Sequence, residues 1–249
     1  MIILSRDDIE KIAIRVEKAY LALPGLHYED TLRVNLDRLC TDLLGLTVEH
    51  QRLSLDGSIL GLTSYSEYGI EVFGQAGEPS YYFLDGKTIL IDSALREQKE
   101  MIGRHNFTVA HEASHQILRM LYPQEYKNTS CRQPIHYLKT VREHTMIRDW
   151  SEWQADALGS AVLLPADMVT TALEMYDLGD GIHMLHAWLC PYVYERFCQM
   201  AKFLGCSKKA LAIRLKYLGL LTYDYLEHPE DLFRMEEDEW KSKNRQMSS

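Results

Sequence analysis

Phe107-Thr-Val-Ala-His-Glu-Ala-Ser-His-Gln-Ile-Leu118 is the stretch on which the reading of this chain turns. Its apolar members, Phe107, Ala110, Ala113, Ile117, Leu118 and, one turn on, Leu121, recur at helical spacing and describe a buried helix over roughly Asn106 to Leu121. Against that background two histidines and a glutamate are out of place. His111 and His115 stand four residues apart, so on a helix both imidazoles leave from one face and can share one ion. Glu112 follows the first histidine directly, where it can act on a water held by such an ion without ligating the metal itself.

The pattern is HExxH, which points to zinc hydrolysis, and catalytic zinc takes three protein ligands plus a water. The nearest suitable third ligand lies downstream in Ser151-Glu-Trp-Gln-Ala-Asp-Ala-Leu-Gly-Ser-Ala-Val-Leu-Leu-Pro165. Glu152 and Asp156 are again four apart, on a helix expected from about Ser151 to Leu164, where Pro165 stops it. Ala155, Ala157, Gly159 and Ala161 are small enough to let a second helix approach. Glu152 could ligate the metal while Asp156 accepts the second N–H of a ligating histidine. Two alternatives stand beside this: Asp156 as the ligand itself, or Glu152 as a surface acid favoured by its place near a helix start.

Outward from these motifs the chain reads as two kinds of structure. Ser5 followed by Asp7 and Asp8 caps a helix whose stripe is Ile9, Ile12, Ala13, Val16 and Tyr20, closed by Pro24-Gly25. A second helix is expected from about Leu32 to Leu44, stopped by Gly45. Residues 46–92 read as short strands: Leu46-Thr-Val, Ile59-Leu-Gly-Leu, Gly69-Ile-Glu-Val-Phe, Tyr81-Tyr-Phe-Leu and Lys87-Thr-Ile-Leu-Ile. Asp85-Gly86 between the last two predicts a hairpin. The Lys87–Ile91 strand, just upstream of the metal helix, is expected to offer an edge to an extended peptide. From Ser93 on, the pattern is helical almost to the end, with a long His-, Tyr-, Arg- and Pro-rich segment from Leu121 to Trp150. The fold class is therefore α+β, mainly helical with a small, mostly antiparallel sheet. Its parts are an N-terminal helix (1–28), a metal-binding core (29–175), a helical C-terminal region (176–222) and an acidic tail (223–249).

Composition narrows the function classes. The 249 residues carry 27 basic and 36 acidic side chains, a net charge of −9 that excludes a protein coating nucleic acid by overall charge. Five scattered cysteines, Cys40, Cys131, Cys190, Cys198 and Cys206, do not form a disulfide framework in a chain of this size. With no secretory signal pattern at the start and no apolar run of membrane-spanning length, the chain reads as cytoplasmic, with reduced thiols and no membrane. His183, His186 and Cys190 fall at i, i+3 and i+7, but Pro191 breaks the pattern and they read as packed side chains. Tyr194 to Leu220 has helix–Gly–Ser-cap–helix spacing with five basic residues from Lys202 to Lys216 and no acid among them, which resembles a helix-turn-helix. Leu204, Leu211, Leu215 and Leu218 serve equally as core, and direct nucleic-acid binding is not the favoured reading.

Arg104-His-Asn-Phe-Thr-Val-Ala-His-Glu-Ala-Ser-His115, followed by Glu152-Trp-Gln-Ala-Asp156 and Leu163-Leu-Pro165, resembles the ImmA/IrrE family of metallopeptidases, a gluzincin-type group. The likeness spans roughly residues 30 to 220 and departs at Ser114, where the family usually has glycine, and in the longer segment 121–150. It implies zinc held by His111, His115 and Glu152, with Glu112 as the general base. It implies a peptide hydrolase that cuts a helix-turn-helix transcriptional repressor, a protein substrate that itself binds DNA. The oxyanion-stabilising donor is open among His105, Tyr126, His136, Tyr137 and His144. A different class of answer is a non-catalytic zinc-containing regulator that binds a partner protein or DNA through the helix-turn-helix-like segment.

Overall fold

A computed structural model describes residues 2–127, 135–138 and 150–233. Helix α1 (Arg6–Leu21) starts as its sequence predicts. The Ser5 side chain accepts from the Asp8 amide while the Asp8 carboxylate accepts from the Ser5 amide, a reciprocal capping box. The next helix differs from expectation. Instead of one helix from Leu32 to Leu44, the chain forms α2 (Tyr28–Leu32), breaks at extended Arg33, and restarts at α3 (Leu36–Arg38), which passes into a π turn over Leu39–Leu43. The break is local competition by side chains: Asn35 caps α3 through the Arg38 amide, and its own amide donates to the Tyr20 hydroxyl. Gly45 ends the segment at φ +64°, as read.

Five strands follow: β1 (Thr47–Gln51), β2 (Ile59–Thr63), β3 (Glu67–Phe73), β4 (Pro79–Asp85) and β5 (Thr88–Asp92). The predicted β4–β5 hairpin does not form. Gly86 does take φ +79°, and the Asp85 carboxylate accepts from the Lys87 and Thr88 amides, but this turn sends the chain from one sheet to another. β4 pairs antiparallel with β3 as a two-stranded ribbon, whereas β5 lies parallel to β1 and antiparallel to β2. The reason is burial. β4 presents exposed Tyr81 and Phe83, while every residue of β5 is buried, so β5 must be covered on both faces. Ile89 and Ile91 face the main core and Leu90 the smaller cluster formed with Leu53, Leu62, Ile70, Val72 and Leu84. The order of the four-stranded sheet is β1-β5-β2-β6, with β6 (Ile135–Leu138) at one end. The strand Lys87–Ile91 therefore has no free edge, and the expected peptide-docking edge is not there.

Short α4 (Ala94–Glu97) and a 3₁₀ turn lead into α5 (Ile102–Leu121), which begins four residues before the expected start. The added turn is held at Gly103, where a Cβ would lie 2.6 Å from the Ser207 amide nitrogen, so this turn packs directly on the C-terminal region. After α6 (Pro123–Lys127) and β6 come α7 (Trp150–Leu163), α8 (Ala166–Met175), β7 (Ile182–Leu185), α9 (Pro191–Phe203), α10 (Lys208–Tyr217) and β8 (Leu221–Asp224). Strands β7 and β8 pair parallel and were not anticipated; at four residues each they carry too little periodicity to stand out. The chain is thus α+β, mainly helical with small sheets, and one apolar cluster runs from Leu4 through α5, α7 and α8 to Leu221.

Arg214 ties the two ends of the chain to that core. It is 3% exposed, donates through Nε to the Leu164 carbonyl at 2.9 Å, and pairs through both terminal nitrogens with the Glu10 carboxylate. Removing it would leave a buried carbonyl and a carboxylate without their partner. Arg214→Ala is expected to cost about 3 kcal/mol in urea denaturation, against less than about 1 kcal/mol for Lys216→Ala, whose ion pair is exposed.

Candidate metal centre

Helices α5 and α7 cross where both carry small residues. A Cβ on Gly159 would stand 3.1 Å from His111 Cα and N, tighter than Cβ atoms ordinarily pack, so glycine favours this approach, and Ala155 and Ala161 are fully buried beside it. Ser114, in the middle of α5, is also fully buried; its hydroxyl donates back to the Ala110 carbonyl at 2.7 Å. The departure from glycine at this position is thus absorbed within the helix.

The crossing brings three ligating side chains to one point. His111 Nε2 and His115 Nε2 are 3.1 Å apart, Glu152 Oε2 is 3.3 Å from the first and Glu152 Oε1 3.2 Å from the second. Protons can be shared between each imidazole and a Glu152 oxygen, since an Nε2–H donates to a carboxylate oxygen. A cation between the three side chains would meet a lone pair from each of them. His111, His115 and Glu152 could hold a metal ion, and among the described residues this is the group that brings three such ligands within 4.8 Å of one another.

Asp156 lies on the other side of the first imidazole, with Oδ1 3.0 Å from His111 Nδ1. It therefore orients the ring, and the alternative with Asp156 as third ligand is not the one the fold forms. Burial works to lower the pKa of His111, but the Asp156 and Glu152 carboxylates outweigh it and hold the ring up at about 10. For His115 burial prevails and the pKa falls; its Nδ1 is buried with no hydrogen-bond partner. Glu152 is lowered, because the two imidazoles more than offset its own desolvation.

Glu112 is fully buried, and neither carboxylate oxygen has a hydrogen-bond partner. Desolvation pushes it up to about 8. Gly61 on β2 makes room for it: a Cβ there would meet Thr108 Cγ2 at 2.5 Å and Glu112 Oε1 at 2.9 Å. Two positions later, Thr63 Oγ1 accepts from Gln116 Nε2 at 2.7 Å, and the Ser64 carbonyl accepts from the same nitrogen at 2.8 Å, which locks α5 to the sheet. Sequence reasoning missed Gly61, Thr63 and Gln116. The available signal was the glycine inside Ile59-Leu-Gly-Leu, since glycine within a strand marks a close approach.

Other predicted positions lie elsewhere. His105 points to β1, where its Nε2 is 2.9 Å from His50 Nε2 and the rings stack. The side chains of Tyr126, His136 and Tyr137, and all of His144, lie outside the described residues, as do Cys131 and the tail from residue 234. His186 is buried, its Nδ1 accepting from the Trp188 and Leu189 amides, while Cys190 precedes Pro191 at the start of α9; neither is in a metal-binding group. Cys40, Cys190, Cys198 and Cys206 are free thiols, and burial raises Cys40 and Cys206 to about 12. In the helix-turn-helix-like segment, Ser207 caps α10 and Gly205 takes φ +66°, as read. Of its cations, Arg214 is buried, Lys208 bonds the Tyr194 hydroxyl and Lys209 pairs with Glu227. Among the described residues no single helix is long and apolar enough to cross a membrane.

In comparison with known proteins, no family matches the chain, and no curated protein does.

If the triangle is a metal site, adding a saturating divalent ion to the chelator-stripped chain should raise its melting temperature. Excess ion at about a hundred times Kd corresponds to about 2.7 kcal/mol. The same addition should leave His115→Ala unmoved, as read by differential scanning calorimetry and by metal content after desalting.

Proposed function

We propose that the chain is a zinc-dependent metalloendopeptidase. The observation that carries this reading is the pairing of a three-ligand triangle with a buried carboxylate beside it that has no partner of its own. Zinc fits the donor set, because bonds of about 2.0–2.1 Å in tetrahedral geometry give ligand–ligand edges of roughly 3.3 Å. The two Nε2 atoms are 3.1 Å apart, and each lies 3.3 or 3.2 Å from a different oxygen of Glu152, close to such an edge. Two imidazoles and one carboxylate also leave the fourth position open for water or substrate, as a catalytic site requires and a closed structural site does not.

A bound zinc ion would supply a water with pKa near about 7 and polarise the scissile carbonyl. The remaining work falls to the chain. Asp156 accepts from His111 Nδ1–H, which leaves the Nε2 lone pair turned toward Glu152 and His115. Glu112 takes a proton from the attacking water and returns it to the leaving amine nitrogen. Its burial supports this role: desolvation raises its affinity for a proton, and it has no competing hydrogen bond to break. A scaffold with no chemistry to perform has no use for such a group, since an unpartnered buried carboxyl costs stability. That favours the enzyme over the non-catalytic regulator.

The likeness to ImmA/IrrE metallopeptidases extends the proposal to a substrate, a helix-turn-helix transcriptional repressor, and to a cytoplasmic setting consistent with free thiols. The test is co-incubation of the chain with a repressor encoded beside it, with and without chelator. Chelator-sensitive cleavage at one bond is expected, and Glu112→Gln should keep one equivalent of zinc while cleavage falls on the order of 10²–10⁴-fold. Unimpaired cleavage by Glu112→Gln, or binding to operator DNA by the metal-free chain with no proteolysis, would overturn the reading.

A further inference from the structure

The face of the four-stranded sheet turned away from the metal helix carries a second feature. β2 is two-sided: Gly61 and Thr63 meet α5, while Leu62 belongs to the small apolar cluster under the β3–β4 ribbon, with Ile59 packed against it. Between β2, the loop that precedes it and β3 runs an open groove of about 790 Å³. Leu53, Leu55, Ile59, Leu62, Ile70 and Phe73 line it, and Leu55 is 56% exposed at its mouth.

Asp56 and Glu71 also line the groove, and among the described residues neither has an ion-pair partner. No cation lies in the surrounding chain: from Leu53 to Gly86 there are five acids, Asp56, Glu67, Glu71, Glu78 and Asp85, and no lysine, arginine or histidine. The preceding Arg52 is engaged by the Leu55 carbonyl at 3.2 Å and does not line the groove. The loop is braced in place. Leu53 donates its amide to the buried Asp92 carboxylate at 2.9 Å, Ser54 Oγ accepts from the Ile59 amide, and Asp56 Oδ1 accepts from the Ser58 amide. An apolar channel of fixed shape with acidic side chains at its rim is complementary to a cationic amphipathic occupant.

We propose that this groove is a docking site for a cationic amphipathic segment of a partner protein, with apolar side chains seated on the Leu53–Ile59–Leu62–Ile70 floor and lysine or arginine against Asp56 and Glu71. It lies across the sheet from His111 and Glu112, so it would hold a partner without occupying the metal centre. Docking here is independent of whether the chain cleaves what it binds.

Fluorescence anisotropy with the full-length, metal-loaded chain tests this, using a labelled short peptide that alternates lysine with leucine and its counterpart with glutamate in place of lysine. The lysine peptide should bind saturably, weaken as salt rises from about 0.05 to 0.5 M, and bind at least about tenfold more tightly than the glutamate peptide. The pair of changes Asp56→Asn, which keeps an oxygen for the Ser58 amide, and Glu71→Lys should weaken it at least about tenfold with metal content and melting temperature unchanged. Equal binding of the two peptides to the unaltered chain would overturn the proposal even if the double variant failed to fold. So would lysine-peptide binding that the double variant leaves intact. A concentration-dependent dimer in analytical ultracentrifugation that Leu55→Glu abolishes would overturn it too, by assigning the groove to a second copy.

Discussion

The close crossing of α5 and α7 at Gly159 is the constraint from which the rest of the site follows. With no Cβ at that point the α7 backbone rides against His111, and the carboxylates one and two turns earlier arrive on either side of the His111 ring. Each carboxylate meets a different nitrogen of that ring, so the crossing settles which acid faces the ligand triangle and which orients it. A Cβ at Gly159 would press on the His111 backbone at 3.1 Å, and the neighbouring backbone would have to give by a few tenths of an ångström to admit it.

The sheet contributes the other half of the geometry. Gly61 lets β2 press directly on Thr108 and Glu112, and Gln116 fastens the same helix to Thr63 and Ser64. Helix α5 is thereby clamped between a helix and a strand that each yield a glycine at the contact. Such a clamp keeps Glu112 dry and without hydrogen bonds, a costly state for a carboxyl group, maintained here by packing all around it. Local strain of this kind concentrates where a protein does chemistry, and no comparable orphaned carboxylate pair of oxygens occurs elsewhere among the described residues.

The same sheet separates two environments. Ile89 and Ile91 of β5 face the helices, and Leu90 faces the β3–β4 ribbon, so the sheet has helices on one side and a small second apolar cluster on the other. The first side brings His111, His115 and Glu152 into close array. The second is open to solvent, apolar in its floor and acidic at its rims. The net charge of −9 is therefore unevenly used: the 53–86 stretch contributes five acids and no cation, whereas the basic 202–216 segment spends Arg214 on the core and pairs Lys209 with Glu227.

The amino-acid order alone determined what depends on neighbours along the chain. The i, i+4 spacing put His111 and His115 on one helical face, the Ser5 and Ser207 caps marked their helices, and the small residues of α7 announced a tight crossing, because helical periodicity and capping are local properties. Only the tertiary structure decided what depends on which surfaces find each other. It set Glu152 rather than Asp156 beside both Nε2 atoms, took β5 away from β4 and buried it between β1 and β2. It also set Gly61 beneath Glu112. These outcomes turn on covering both faces of a wholly buried strand and on contacts between residues far apart in the chain, and no period in the sequence records them.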